Sequence, residues 1–170
     1  MRARALFTLS ALALGAAACA TVESPASPPS PQPTEGPAPA PVEGYDWILQ
    51  IGGGTAHLTY GVPESDDLVL GLHCQDGSDR VGLVTLAEYG VEPVIVLESG
   101  GDVGRFPASA EVSELHDALI LSAEAMRVEP VFQRFRRVGW LAQWRDGERE
   151  AYAPQPDSAP NIERFFAFCG

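Results

Sequence analysis

The chain has no lysine, three histidines and three cysteines among its 170 residues. It has no apolar stretch near the roughly 20 residues that a membrane-crossing helix needs. Each shortage excludes something. Without lysine, the run Gly52-Gly53-Gly54 lacks the partner of a P-loop, and it also lacks the full G-x-G-x-x-G spacing. It reads as a turn. His57, His73 and His116 never stand four apart and no CxxC occurs, so no zinc site of familiar spacing is written in the chain. No G-x-S-x-G elbow or other nucleophile signature is present. No catalytic residue, metal ligand or cofactor is therefore assigned. Positive charge is scarce too: 11 arginines face 23 acids, for a net charge of −12. If Arg2 and Arg4 leave with a leader, nine arginines remain against 23 acids, a net charge of −14. Such a chain repels nucleic acid and anionic lipid surfaces, and nucleic acid is not an expected partner.

What is present starts at the N-terminus. Arg2 and Arg4 precede an apolar segment, Leu6 to Leu14, broken only by Thr8 and Ser10; Gly15 and three alanines follow. Positive, apolar, then small is the order of a secretory signal peptide, here residues 1–18. Cys19 comes next. Ala16-Ala17-Ala18-Cys19 resembles the lipobox of bacterial lipoprotein precursors, departing at Ala16, where that family usually has leucine. The resemblance covers only this leader region. It implies that Cys19 is lipidated, becomes the mature N-terminus and anchors the protein to a membrane. Ala20 in place of an aspartate implies delivery to the periplasmic face of an outer membrane. Ordinary cleavage at the A-x-A site Ala16-Ala17-Ala18, leaving Cys19 as a thiol, is the alternative.

Residues 19–43 form a tether. Eight prolines fall between Pro25 and Pro41, the stretch has no aromatic residue, and Val42 is the single valine from Ser24 onward. It has too little apolar surface to offset its ordering entropy. A spacer with polyproline II bias is expected, reaching roughly 60 Å at about 3.1 Å per residue.

Residues 44–170 read as one globular domain. Alternating patterns predict strands at Thr55–Tyr60, Asp67–Cys74, Val81–Ala87, Val94–Glu98, Phe106–Val112 and Leu119–Ala123. Gly52-Gly53-Gly54, Gly61-Val62-Pro63, Asp76-Gly77-Ser78 and Ser99-Gly100-Gly101 supply turns between them. Pro130 opens a helix carrying Val131, Phe132, Phe135 and Val138 on one side, and Gly139 closes it. Trp140–Trp144 and Glu148–Tyr152 flank Asp146-Gly147, a hairpin signal. A last helix, capped by Asp157 or Ser158, carries Ile162, Phe165, Phe166 and Cys169. The expected fold is mainly β: an antiparallel sandwich or open barrel with two short helices near the C-terminus, with an α+β arrangement as the variant.

Several constellations compete with blander readings. Cys74 and Cys169 form an even pair once Cys19 is set aside, and both fall on core faces, so a disulfide is expected. Arg134, Arg136 and Arg137 are the only basic cluster. They offer a binding patch for a carboxylate or phosphate, or else they complement the helix C-terminus. Trp140 and Trp144 share a face with Ala142 and read as an aromatic platform or as core. Glu64, Asp66 and Asp67, with Asp76 and Asp79, read as a calcium cluster or as solvated turn acids. Ser99-Gly100-Gly101-Asp102 falls where periplasmic lysozyme inhibitors have an S-G-x-x-Y loop, and departs from it at Val103. The ending Phe168-Cys169-Gly170 resembles that of secreted proteins of the invasion-associated locus B type. Neither likeness assigns the domain to a family.

The expectation is an exported, lipid-anchored envelope protein. It acts as a non-enzymatic binding or accessory module toward an envelope protein or cell-wall component. The alternative is an envelope hydrolase whose site is assembled from separated residues. A pocket in which His73 or His116 meets a carboxylate would favour the hydrolase.

Overall fold

The computed structural model describes residues 38–170. The signal peptide, Cys19 and the tether through Pro37 lie outside the described residues. Folding starts where aromatic and branched residues return. β1 (Asp46–Gly52) and β2 (Thr55–Gly61) form the first hairpin, followed by β3 (Leu68–Gln75), β4 (Arg80–Ala87), β5 (Val94–Ser99) and β6 (Asp102–Pro107). β7 (Ser109–Val112), β8 (Leu119–Met126), α1 (Pro130–Val138), β9 (Leu141–Arg145), β10 (Glu148–Tyr152) and α2 (Ala159–Cys169) complete the order.

All strand pairings are antiparallel and form two sheets: six strands in the order β1-β2-β3-β4-β8-β7, and four in the order β10-β9-β5-β6. The result is an open sandwich, mainly β. Three hairpins are set by two-residue turns. Gly53-Gly54, Gly100-Gly101 and Asp146-Gly147 all have positive φ at both positions, which type I′ turns require and which matches the strand twist. Gly52 faces Thr55, Ser99 faces Asp102 and Arg145 faces Glu148 across them.

One core joins both sheets and both helices. Ala56, Leu58 and Tyr60 of β2, Leu70, Leu72 and Cys74 of β3, and Leu83 of β4 form its floor. Ile95 and Leu97 of β5 oppose them, with Phe132 and Phe135 of α1 and Phe165 and Phe166 of α2 between. Trp47 is fully buried; its ring lies 5.1 Å from that of Phe135, and its indole N–H donates to the Tyr152 carbonyl at 3.1 Å. That one side chain ties β1, α1 and β10 together. Cys74 and Cys169 are bonded, with Cα atoms 5.7 Å apart and a sequence separation of 95.

The structure departs from the sequence reading or goes beyond it in five respects. β1 is an additional strand: only Trp47 of its seven residues is buried, so no alternation marks it. The expected strand Phe106–Val112 is two elements. Pro107 has no N–H for a ladder, and the chain passes there from the edge of the small sheet to the edge of the large one. Leu68, in step with Leu70 and Leu72, is exposed because it lies beyond a register shift at Tyr60/Gly61. Helix α2 packs chiefly over β1 and β2 and meets β3 at its C-terminal end, where the disulfide is. Ser158 is its N-cap residue, but the hydroxyl bonds to the Asp46 carboxylate and the Gln155 carbonyl and caps no amide.

Candidate functional site

The expected arginine patch is largely neutralised. Arg134 Nε donates to Asp102 Oδ2 at 2.8 Å. Arg136 makes a bidentate contact with Glu163, at 3.0 and 2.6 Å, and its guanidinium lies 5.6 Å from the Phe166 ring. Their mutual hydrogen bond holds Arg136 above and Glu163 below their ordinary pKa values. Arg137 alone of the three is exposed and makes no ion pair with a described residue. The cluster pins α1 to β6 and to α2, and its sequence proximity does not become a cationic surface.

Trp140, Ala142 and Trp144 do share a face, the outward face of the small sheet. Trp140 is buried there with Ala142 and Ala153 in a satellite cluster. The sequence reading missed what sits beside them. Glu98 of β5 points to the same face and is completely buried. Arg149 holds it through two bonds, 2.5 and 3.2 Å, and Trp144 Nε1 donates to it at 3.3 Å. The Arg149 guanidinium in turn covers the Trp140 ring at 5.2 Å. Trp140 is thus closed to a ligand and Trp144 is half-buried. The signal was in the hairpin: a two-residue Asp146-Gly147 turn sets Trp144 opposite Arg149.

A second polar cluster lies between the sheets. Thr85 of β4 and Gln143 of β9 are buried and share a bond of 3.3 Å. Arg145 Nη2 donates to Gln143 Oε1 at 3.1 Å and to Tyr152 Oη at 3.2 Å, and lies 3.7 Å from Glu150. Tyr152 Oη donates to Glu150 at 3.0 Å. Burial raises the Tyr152 phenol well above its ordinary value, so it remains a donor. These groups bond to one another and link the two layers, although the buried Arg145 Nε has no hydrogen-bond partner among the described residues.

The histidines meet, though not with a carboxylate. His57 and His73 face each other across β2 and β3 on the outward face of the large sheet, rings stacked at 5.9 Å. The half-buried His73 ring occupies the space a side chain at Gly82 would fill, 2.2 Å from where a Cβ would stand. Burial and the neighbouring His57 lower the His73 pKa below 6.5, against a smaller upward pull from Glu124. His116 lies exposed in the loop after β7. The acidic cluster is split: Glu64, Asp66 and Asp67 precede β3 while Asp76 and Asp79 follow it, and eight residues of strand hold the two groups roughly 25 Å apart. Among the described residues, no three His, Cys, Asp or Glu side chains are arranged to hold a metal ion.

Where the tether joins the domain there is an open cleft of about 450 Å³, lined by Pro41, Glu43, Gly44, Tyr45, Asp46, Pro63 and Gln155. Tyr45 donates to Asp67 at 2.5 Å, which raises its pKa. Gln155 Nε2 donates to the carbonyls of Val42 and Tyr45 at 3.0 and 3.2 Å, fixing the end of the tether to the domain. The chain matches no protein-family model, no curated protein and no solved structure.

Proposed function

We propose that the protein is a lipid-anchored envelope module that binds a macromolecular partner and performs no catalysis. One observation carries the reading. The Cys74–Cys169 bond uses both cysteines of the domain, and Cys19 is the third of the chain's three. A buried structural disulfide suits an oxidising compartment. It also leaves Cys19 as the residue that the lipobox-like sequence offers for acylation. The hydrolase reading loses support from the histidines: His73 stacks on His57 on an open sheet face, His116 is exposed on a loop, and neither His73 nor His116 bonds to a carboxylate of the described residues.

Labelling producing cells with an alkyne fatty acid tests this. The wild-type chain takes up label and Cys19→Ser does not, and the wild type fractionates with outer-membrane markers in a Gram-negative host. Equal labelling of both chains, or none in the wild type, defeats the anchor. Turnover of a peptide, ester or glycan substrate that is abolished by His73→Ala would restore the hydrolase.

A further inference from the structure

The large sheet ends on β7, four residues paired with β8 on one side only. All four are exposed. Natural edge strands are blunted by shortness, charge, proline or cover; β7 has only its four-residue length and Glu111, contains neither lysine nor proline, and no described element pairs with its outer edge. At this end of the sheet Ala87, Leu119 and Val112 lie in one row across β4, β8 and β7. Leu68 opens β3 and Tyr89 follows β4 at the same end of the sheet, and Leu115 lies in the β7–β8 loop. Nine large apolar side chains are exposed among the described residues, and four of them, Leu68, Tyr89, Val112 and Leu115, lie at this rim. Leu115 is 90% exposed, on a loop closed by its own hydrogen bonds. The buried Ser113 hydroxyl accepts from the amides of Leu115 and His116 at 3.3 and 3.1 Å, and Ser113 N bonds to the Ala118 carbonyl at 3.0 Å. An apolar side chain held out on a fixed loop costs little ordering on binding.

The charges around the rim choose the occupant. Glu88 and Glu92 flank it from the β4–β5 loop, and Glu111, Glu114 and Asp117 from β7 and its loop. From Val81 to Met126 the one basic residue other than His116 is Arg105, which lies opposite Val96 on the small sheet. Arg145, between the sheets, is already held by Gln143, Tyr152 and Glu150. A second copy of this chain would bring the acids of two such rims together, and like charges across strands destabilise pairing. We infer that the free edge of β7 and the apolar rim beside it take up an extended strand of a partner protein that alternates basic and apolar residues. Backbone pairing would supply affinity, and Val112, Leu115 and the acids specificity.

This rests on the binding-module reading above. The probe is a fluorescent nine-residue peptide alternating arginine and valine, titrated by anisotropy against the mature chain in non-ionic detergent; a glutamate–valine peptide is the control. Saturable binding of the basic peptide is expected, weakened at least tenfold in Val112→Asp/Leu115→Asp and in Glu111→Arg/Glu114→Arg. All these side chains are exposed, so a retained cooperative melting transition verifies folding. No saturable binding, equal binding of the acidic control, unchanged affinity in both variants, or a dimer in size-exclusion chromatography would each overturn the surface. If labelling at Cys19 succeeds while the peptide fails, the anchor stands and this surface alone falls.

Discussion

Glu98 has no exposed surface, although it sits on the outward face of a sheet. A carboxylate is taken out of water only when partners replace its hydration; here Arg149 and Trp144 do so. Arg149→Ala leaves that charge uncompensated and is expected to cost about 3 kcal/mol. Glu98→Leu combined with Arg149→Met is expected to cost much less, and urea denaturation of the two variants checks the order. The stacked histidines give a pH prediction. Because the folded-state pKa of His73 lies below 6.5, the unfolded chain takes up that proton first as pH falls. Stability from this site is therefore full above about pH 6.5 and declines as pH drops through it. NMR titration should place His73 below 6.5, moving up in His57→Ala once the second imidazole is gone. Gly82→Ala pushes the ring into solvent and should shift it the same way. An unchanged midpoint in both variants contradicts the packing.

Among the elements, the final helix depends most on one bond. The Cys74–Cys169 link closes a loop with a sequence separation of 95, worth about 4.7 kcal/mol in the chain-entropy model. Cys169→Ser should lower stability by about that amount in chemical denaturation, with α2 the first element to lose amide protection in hydrogen exchange. If β1 and β2 lose protection before α2, the helix is held by its aromatic face instead. Helix α1 was legible down to its ends: Pro130 and Gly139 bound it as predicted, with Gly139 at φ 80° donating its amide to the Phe135 carbonyl at 2.8 Å. Gly139→Ala puts a side chain in the left-handed region and is expected to cost about 1 kcal/mol, measured as a shift in the denaturation midpoint. The strands read less completely. β1 has one buried residue and is recognised only by its pairing with β2. The break at Pro107 was visible as a proline, but nothing local says that the chain changes sheets there.

At the scale of the whole molecule the excess of acid dominates. Ion pairs engage six of the nine arginines of residues 38–170, but 21 acids stand in the same span; the Arg80–Glu124 pair leaves both side chains more than half accessible and contributes little. Self-repulsion among the acids is therefore mostly unopposed, and salt should screen it. Raising ionic strength from about 0.01 to 0.15 M shortens the Debye length from about 30 to 8 Å, so the melting temperature should rise across that range. A fall would mean that the surface pairs outweigh the repulsion.

The sequence alone was enough to determine the order of most strands, both helices, three hairpin turns and the partner of each domain cysteine. These rest on period, on glycine and proline, and on cysteine parity, all of which are local or countable. It also placed Trp140 and Trp144 on one face. Only the tertiary structure decided which face that was, because a strand's alternation is the same whether the sheet above it is present or absent. For the same reason it alone decided that Arg134 and Arg136 meet acids from distant elements, that His57 stacks on His73, that one strand divides between two sheets, and that Glu98 is buried. Each of these depends on which segments the chain brings together across long sequence separations, and burial, not spacing, sets what a charged side chain does there.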